Sequence, residues 1–215
     1  DFCLSRGLGD VYKRQMLTIT VVGASHGKRL CQALRRHQDY GKQFVVNDLS
    51  QPGKPYFDLA WPKLENLSEN DLLIVIPLGN DLVERKYVYR ENSTGIIHLK
   101  SFVPRADSYF ETRFEDLAEK LSKANCKIRL INNIYRHNCC PVHRHPGWIS
   151  YQNKINRQIE QRFNSAKVCV IDHRKFIPLS FREAKNVSNY RSFQKDSVHF
   201  KNYSYMADFI LKSIQ

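Results

Sequence analysis

Ser25 stands in a segment whose residue types suit a nucleophile. The sequence GASHG, residues 23–27, surrounds the serine with small residues and follows a short β-branched run. Small residues allow a tight turn from a strand into a helix, which would lift the hydroxyl out of a sheet and aim helix N-terminal amides at a bound group. The alternative is a glycine-rich turn in which Ser25 only caps the helix. The segment lacks the second glycine and the Lys-Ser/Thr pair of a phosphate-binding loop.

Two further segments carry side chains that acyl transfer would use. PLGND, residues 77–81, follows the most apolar run of the chain, and its Asn80 amide could donate to an oxyanion, although Gly-Asn-Asp is also a common turn. DSVH, residues 196–199, puts a carboxylate three residues before a histidine. Asp196 could accept from one ring nitrogen of His199 and leave the other to take a proton from a nucleophile. Taken alone, Asp-x-x-His is a weak signal.

The elements that must position these side chains alternate between strands and helices. Short apolar runs predict five strands, at 17–22, 43–47, 72–76, 127–132 and 168–171. Helical periodicity predicts a helix bearing Leu30 and Leu34, one over 108–123 with a Ser108–Glu111 capping box, one from about 149, and one over about 203–214. Parallel neighbours need crossovers, so this alternation predicts an α/β fold with a mostly parallel sheet and helices on both faces. Ligands of such sheets bind outside the carboxyl ends of the strands, which the three segments follow.

The order and spacing of the three segments resemble the SGNH, or GDSL-type, hydrolase family of esterases. In that family a serine follows the first strand, a Gly-x-Asn-Asp segment follows the third, and an Asp-x-x-His segment lies near the end. The resemblance covers residues 16–215 and implies a flavodoxin-like three-layer α/β/α sandwich with a mostly parallel five-stranded sheet. It implies Ser25 as the nucleophile, His199 as the general base and Asp196 as its orienting partner.

The resemblance also implies an oxyanion hole and an activity. The hole would consist of the Ser25 backbone amide, Asn80 and a glycine amide from the loop after the second strand, where Gly53 is the only glycine. Ala24 departs from the family, which usually has aspartate in Gly-Asp-Ser, and Asp81 is interpreted as structural. The implied activity is that of a serine esterase that needs no cofactor or metal and acts on a small ester.

The loop predicted after the fourth strand contains residues that could instead form a metal site. Five ligand-type side chains lie within nine residues: His137, Cys139, Cys140, His143 and His145. Their order matches none of the usual zinc patterns, and adjacent cysteines cannot easily ligate one tetrahedral ion, so no metal is predicted. The interpretation we favour is a loop beside the catalytic mouth, where Arg136, His143 and Arg144 would favour an anionic substrate.

The charge balance keeps a second class of function open. The 215 residues include 34 basic and 21 acidic side chains, a net charge of +13. An excess of positive charge suits polyanion partners or anionic substrates. No stretch of the sequence, however, contains the run of about five or six like charges that is typical of a binding tail. A generally basic surface is therefore favoured over nucleic-acid recognition. The open alternative is a catalytically silent SGNH-like module of a mobile element or nucleic-acid-associated protein.

The remaining expectations concern the chain's organisation and location. Residues 1–15, DFCLSRGLGDVYKRQ, resemble translated sequencing-adapter sequence and are predicted to be a non-native, disordered extension, with residues 16–215 forming a single domain. No signal peptide is seen, which predicts a cytoplasmic location and reduced cysteines. No window approaches the ~18 apolar residues of a membrane span. The sequence does not indicate an oligomeric state.

Overall fold

The computed structural model describes residues 16–90, 97–134, 147–176 and 199–214, and for 83–90 and 97–103 it describes the backbone only. Its described helices and strands follow in this order: β1 (Leu17–Gly23), α1 (Ser25–Arg35), β2 (Phe44–Asp48), β3 (Leu72–Ile76), β4 (Val83–Arg90), β5 (Ile97–Pro104), α2 (Asp107–Lys123), β6 (Lys127–Ile131), α3 (Trp148–Phe163), β7 (Val168–Ile171) and α4 (Ser204–Lys212). Single turns of 3-10 helix cover Tyr56–Asp58, Leu64–Asn66 and His173–Phe176.

Five of the strands form one parallel sheet in the order β2-β1-β3-β6-β7. The central strand β3 is buried at every position, because helices cover both faces of the sheet. Leu72, Ile74 and Ile76 pack with α1 and α4, and Leu73 and Val75 pack with α2 and α3. This strand order is the flavodoxin-like one, and the predicted three-layer α/β/α fold is confirmed.

A hairpin separates β3 from α2, where the sequence patterns predict no element. Its strands β4 and β5 pair antiparallel with each other, from Val83 opposite Pro104 to Arg90 opposite Ile97. Four of the eight residues of β4 are charged, so the run lacks the apolar pattern from which strands were predicted. The Tyr151 hydroxyl lies 3.1 Å from the Leu82 carbonyl oxygen and 3.0 Å from that of Arg105, which fixes both ends of the hairpin to α3.

The start of α2 also differs from expectation. The helix begins at Asp107 after an extended Ala106, and no side chain caps it. The predicted capping box of Ser108 and Glu111 is therefore wrong, because Ser108 already lies inside the first turn. The helix buries Phe110, Phe114, Leu117 and Leu121, which form the apolar stripe of an amphipathic helix.

Parallel pairing brings the ends of β1 and β3 to the same edge of the sheet. Gly23, the last residue of β1, pairs with Ile76, the last residue of β3. Ser25 begins α1 two residues after Gly23, and Asn80 follows Ile76 by four residues. Two of the predicted site segments therefore leave the sheet side by side.

Candidate active site

Ser25 and His199 lie in contact at the carboxyl edge of the sheet. The His199 Nε2 atom lies 2.8 Å from the Ser25 Oγ atom, although 174 residues separate them along the chain. Both side chains are half-buried, so a group outside the protein could reach them. This is the contact that a nucleophile and its general base require.

Ser25 is the first residue of α1 and does not cap it. The N-cap position belongs to Ala24, and no side-chain oxygen accepts from the first amides of the helix. The alternative in which Ser25 serves only as the helix cap is therefore not what the structure shows. The serine hydroxyl instead contacts His199.

The two glycines around Ser25 permit close approach of neighbouring backbone. A Cβ atom on Gly23 would lie 3.1 Å from the Ile76 carbonyl oxygen, and one on Gly27 would lie 3.0 Å from the Ser50 Cβ atom. Ordinary carbon contacts are about 3.5–4.0 Å, so a side chain at either position would push its neighbour away. The small residues of the GASHG segment thus let β3 and the loop after β2 approach the serine turn.

Gly53 lies in a loop that bridges the ends of β1 and β3. The Gln51 N–H donates to the Gly23 carbonyl oxygen at 2.8 Å, and the Asn80 Nδ2 atom donates to the Lys54 carbonyl oxygen at 2.9 Å. Gly53 between them is exposed and has φ +82°, a left-handed conformation that favours glycine. The structure therefore brings the segment carrying Gly53 up to Asn80.

Asp81 anchors this region from inside the protein. Its side chain is 1% exposed and accepts hydrogen bonds from the Tyr56 N–H at 2.9 Å and the Tyr109 hydroxyl at 2.7 Å. The Arg113 Nε atom lies 3.5 Å from it. Burial raises the pKa of the Asp81 carboxyl, against the opposing effect of these donors. These contacts tie the loop after β2 to α2, as expected of a structural residue.

Sequence reasoning missed a buried pair that adjoins Ser25 and His199. His26 is 3% exposed, and its Nδ1 atom lies 2.6 Å from the hydroxyl of Tyr203, which is 6% exposed. The His26 and His199 ring centroids are 5.1 Å apart. His26 could have been noticed as the neighbour of the serine, whereas no local pattern singles out Tyr203.

A third histidine near the carboxyl edge of the sheet is fully buried and contacts a residue that follows the neighbouring strand. His173 follows β7 and is fully buried, with its Nδ1 atom 2.6 Å from the Asn132 Oδ1 atom. The same oxygen accepts from the His173 backbone N–H at 2.9 Å. Asn132 follows β6, so this contact holds the ends of β6 and β7 together.

Several predicted site residues lie outside the described part of the chain. They are Asp196, Arg136, His143 and Arg144, together with the other histidines and cysteines of the segment 137–145. Within the described residues, no group of three or more His, Cys, Asp or Glu side chains could hold a metal ion. No helix in those same ranges is long and apolar enough to cross a membrane.

No protein-family model and no curated protein matches the sequence. Solved structures resemble the fold. A Bacteroides fragilis NCTC 9343 protein, provisionally described as an acylhydrolase, aligns with a TM-score of 0.54 and 16% identity over 94% of this chain and 88% of its own. A lipase/acylhydrolase from Enterococcus faecalis aligns with a TM-score of 0.52 and 16% identity over 93% of this chain and 95% of its own. This chain therefore shares its three-layer fold with structures described as acylhydrolases.

Proposed function

We propose that this protein is a serine hydrolase of the SGNH type, which cleaves a small ester by acyl transfer. The observation that carries the proposal is the 2.8 Å contact between Ser25 Oγ and His199 Nε2. It is supported by the position of Ser25 at the start of a helix on the carboxyl edge of the sheet, where open α/β folds bind ligands. The fold shared with structures described as acylhydrolases supports it further.

The proposed reaction has two steps. His199 Nε2 takes the Ser25 proton as Oγ attacks the ester carbonyl, and the protonated ring then gives that proton to the departing alcohol. In the second step His199 takes a proton from water as the water oxygen attacks the acyl-serine carbonyl. The protonated ring then returns that proton to Ser25 Oγ as the bond between Oγ and the acyl carbon breaks, which releases the carboxylic acid and restores the serine hydroxyl. Asp196 would accept from the other ring nitrogen of His199 and stabilise its charged form.

The oxyanion of each tetrahedral intermediate needs preorganised donors. We assign this role to the Ser25 backbone N–H, the Asn80 side-chain amide and the Gly53 N–H. The Asn80 Nδ2 atom donates to the Lys54 carbonyl oxygen at 2.9 Å, which fixes the plane of the amide next to the segment that carries Gly53. A donor held in this way needs no reorganisation during the reaction.

A fluorophosphonate probe tests the proposal without knowledge of the substrate. The probe reacts with activated serines, so it should label the native protein and fail to label Ser25→Ala. Ser150→Ala is the matched control, because Ser150 is exposed on α3, and it should be labelled like the native protein. Hydrolysis of p-nitrophenyl acetate should follow the same pattern.

Absence of labelling would refute the enzyme proposal. If the native protein also bound single-stranded RNA with strong salt dependence, the result would favour the catalytically silent, nucleic-acid-associated module. The net charge of +13 is what makes that second function worth testing.

We also propose that the substrate is anionic. The proposal rests on the basic residue types at Arg136, His143 and Arg144, which follow β6 along the chain and lie outside the described residues. Anionic and neutral esters of equal chain length should be compared, with faster turnover expected for the anionic one. Equal rates would contradict the proposed preference.

A further inference from the structure

We propose that His26 and Tyr203 are positioning residues that hold the His199 ring against Ser25. This inference rests on the proposed hydrolase function. The buried pair joins the first turn of α1 to the segment that leads into α4, through the 2.6 Å contact between His26 Nδ1 and the Tyr203 hydroxyl. His26 directly follows Ser25, and Tyr203 lies four residues after His199. One hydrogen bond thus connects the neighbours of both reacting side chains.

The segment from 199 to 203 folds around the His26 ring. The ring centroids of His199, Tyr203 and Phe200 lie 5.1, 6.1 and 6.4 Å from that of His26. Phe200 is 2% exposed, and its ring centroid lies 5.5 Å from that of Tyr203. Four rings therefore pack together beside the Ser25 hydroxyl, with His26 in contact with the other three.

The location of His199 explains why such a support is needed. His199 precedes α4, which begins only at Ser204, so the backbone hydrogen bonds of that helix do not fix the histidine. A displacement of about 1 Å between reacting groups can cost about 10²-fold in rate. A buried side-chain hydrogen bond to the residue after the nucleophile is a direct way to prevent such a displacement.

Tyr203→Phe is the variant that isolates this role. It keeps the aromatic ring and its packing and removes only the hydroxyl. His26→Leu removes the same hydrogen bond from the other side, and His26→Asn keeps a polar group near the position of Nδ1. Because an amide can both donate and accept, the asparagine can bond to Tyr203 whichever tautomer His26 adopts. Tyr40→Phe is the control, since Tyr40 is exposed beside the amino end of β2, at the sheet edge opposite Ser25.

The measurement is the rate of fluorophosphonate labelling, separated into the maximal inactivation rate and the probe concentration for half-maximal rate. We expect Tyr203→Phe and His26→Leu each to lower the maximal inactivation rate about fivefold or more, with the half-maximal probe concentration unchanged. A fivefold change in rate corresponds to the net free energy of one typical hydrogen bond. His26→Asn should recover most of the lost rate, and Tyr40→Phe should equal the native protein. In the His26→Leu/Tyr203→Phe double variant, the two losses of rate should not add, because each single change removes the same hydrogen bond.

The outcomes separate this inference from the function on which it rests. If the native protein is not labelled, or Ser25→Ala is labelled equally, the hydrolase proposal fails. If labelling depends on Ser25 but Tyr203→Phe reacts at the native rate, the positioning role is overturned and the hydrolase proposal stands. A loss that follows the fall in melting temperature and is not restored in His26→Asn would also overturn it, since it would reflect general packing.

Discussion

Gly27→Ala tests whether the loop after β2 must approach the serine turn closely. The added Cβ would lie 3.0 Å from the Ser50 Cβ atom, about 0.5–1.0 Å closer than an ordinary carbon contact. Overpacking of this kind costs about 1–3 kcal/mol, whereas alanine in place of glycine inside a helix gains about 0.5–1 kcal/mol. We therefore expect a net loss of about 1 kcal/mol in the free energy of unfolding, opposite in sign to the helix propensity.

The same change should affect activity more than stability. Ser50 begins the loop that carries Gly53 and the Lys54 carbonyl, so moving it displaces the proposed oxyanion donors. A displacement of about 1 Å can lower the rate about 10²-fold, so a displacement of about half an ångström should lower turnover about tenfold. Urea unfolding followed by circular dichroism gives the stability change, and hydrolysis of p-nitrophenyl acetate gives the activity change.

Ser50→Gly in the Gly27→Ala background is the control. It removes the carbon that the new methyl group meets, so it should restore part of both quantities. Ser50→Gly alone corrects for the lost hydrogen bond between the serine hydroxyl and Asp48. A Gly27→Ala variant that is as stable and as active as the native protein would show that the close approach of Ser50 to Gly27 has no consequence.

Three further predictions concern the site and its surroundings. Asn80→Ala should lower kcat about 10²–10³-fold with little change in KM, and steady-state kinetics showing native kcat would remove Asn80 from the oxyanion hole. Burial is the largest influence on the Asp48 carboxyl and opposes ionisation, but hydrogen bonds from Lys28 and Ser50 outweigh it and lower its pKa below 3.8. The ionised Asp48 carboxylate therefore stabilises the folded state above the ordinary pKa of 3.8, and this stabilisation is lost as the pH falls through the lower folded-state pKa. Asp48→Asn should accordingly flatten the pH dependence of the urea midpoint below about pH 4. Burial and Asp48 raise the pKa of the Cys31 thiol to about 12, so iodoacetamide at pH 8 should modify exposed Cys169 and spare Cys31, which peptide mass spectrometry would check.

The sheet and the grouping of two site segments could be predicted from the sequence. Runs such as Leu72–Ile76 are apolar at every position, which is the local signature of a strand covered on both faces. Once the strands are parallel, Ser25 and Asn80 must leave the same edge. Both conclusions need only local patterns and one topological rule.

Contacts between distant segments could not be predicted in the same way. The hydrogen bond between His26 and Tyr203 joins residues 177 positions apart, and no local pattern marks Tyr203 as the partner of His26. The start of α2 was misplaced because Ser108 fits a capping pattern that the helix does not use. The β4–β5 hairpin was missed because its charged strand has no apolar period.

The hairpin enters and leaves the domain at a single point. The Arg105 N–H donates to the Leu82 carbonyl oxygen at 3.2 Å. The Tyr151 hydroxyl contacts the carbonyl oxygens of both Leu82 and Arg105. Because the two ends already meet, a longer or shorter segment between them leaves the closure geometry unchanged, and the entropic cost of closing the loop rises only slowly with its length. Lengthening, trimming or grafting is therefore compatible with the five-stranded framework, which makes this segment a natural place for the protein to acquire new specificity without rebuilding its core.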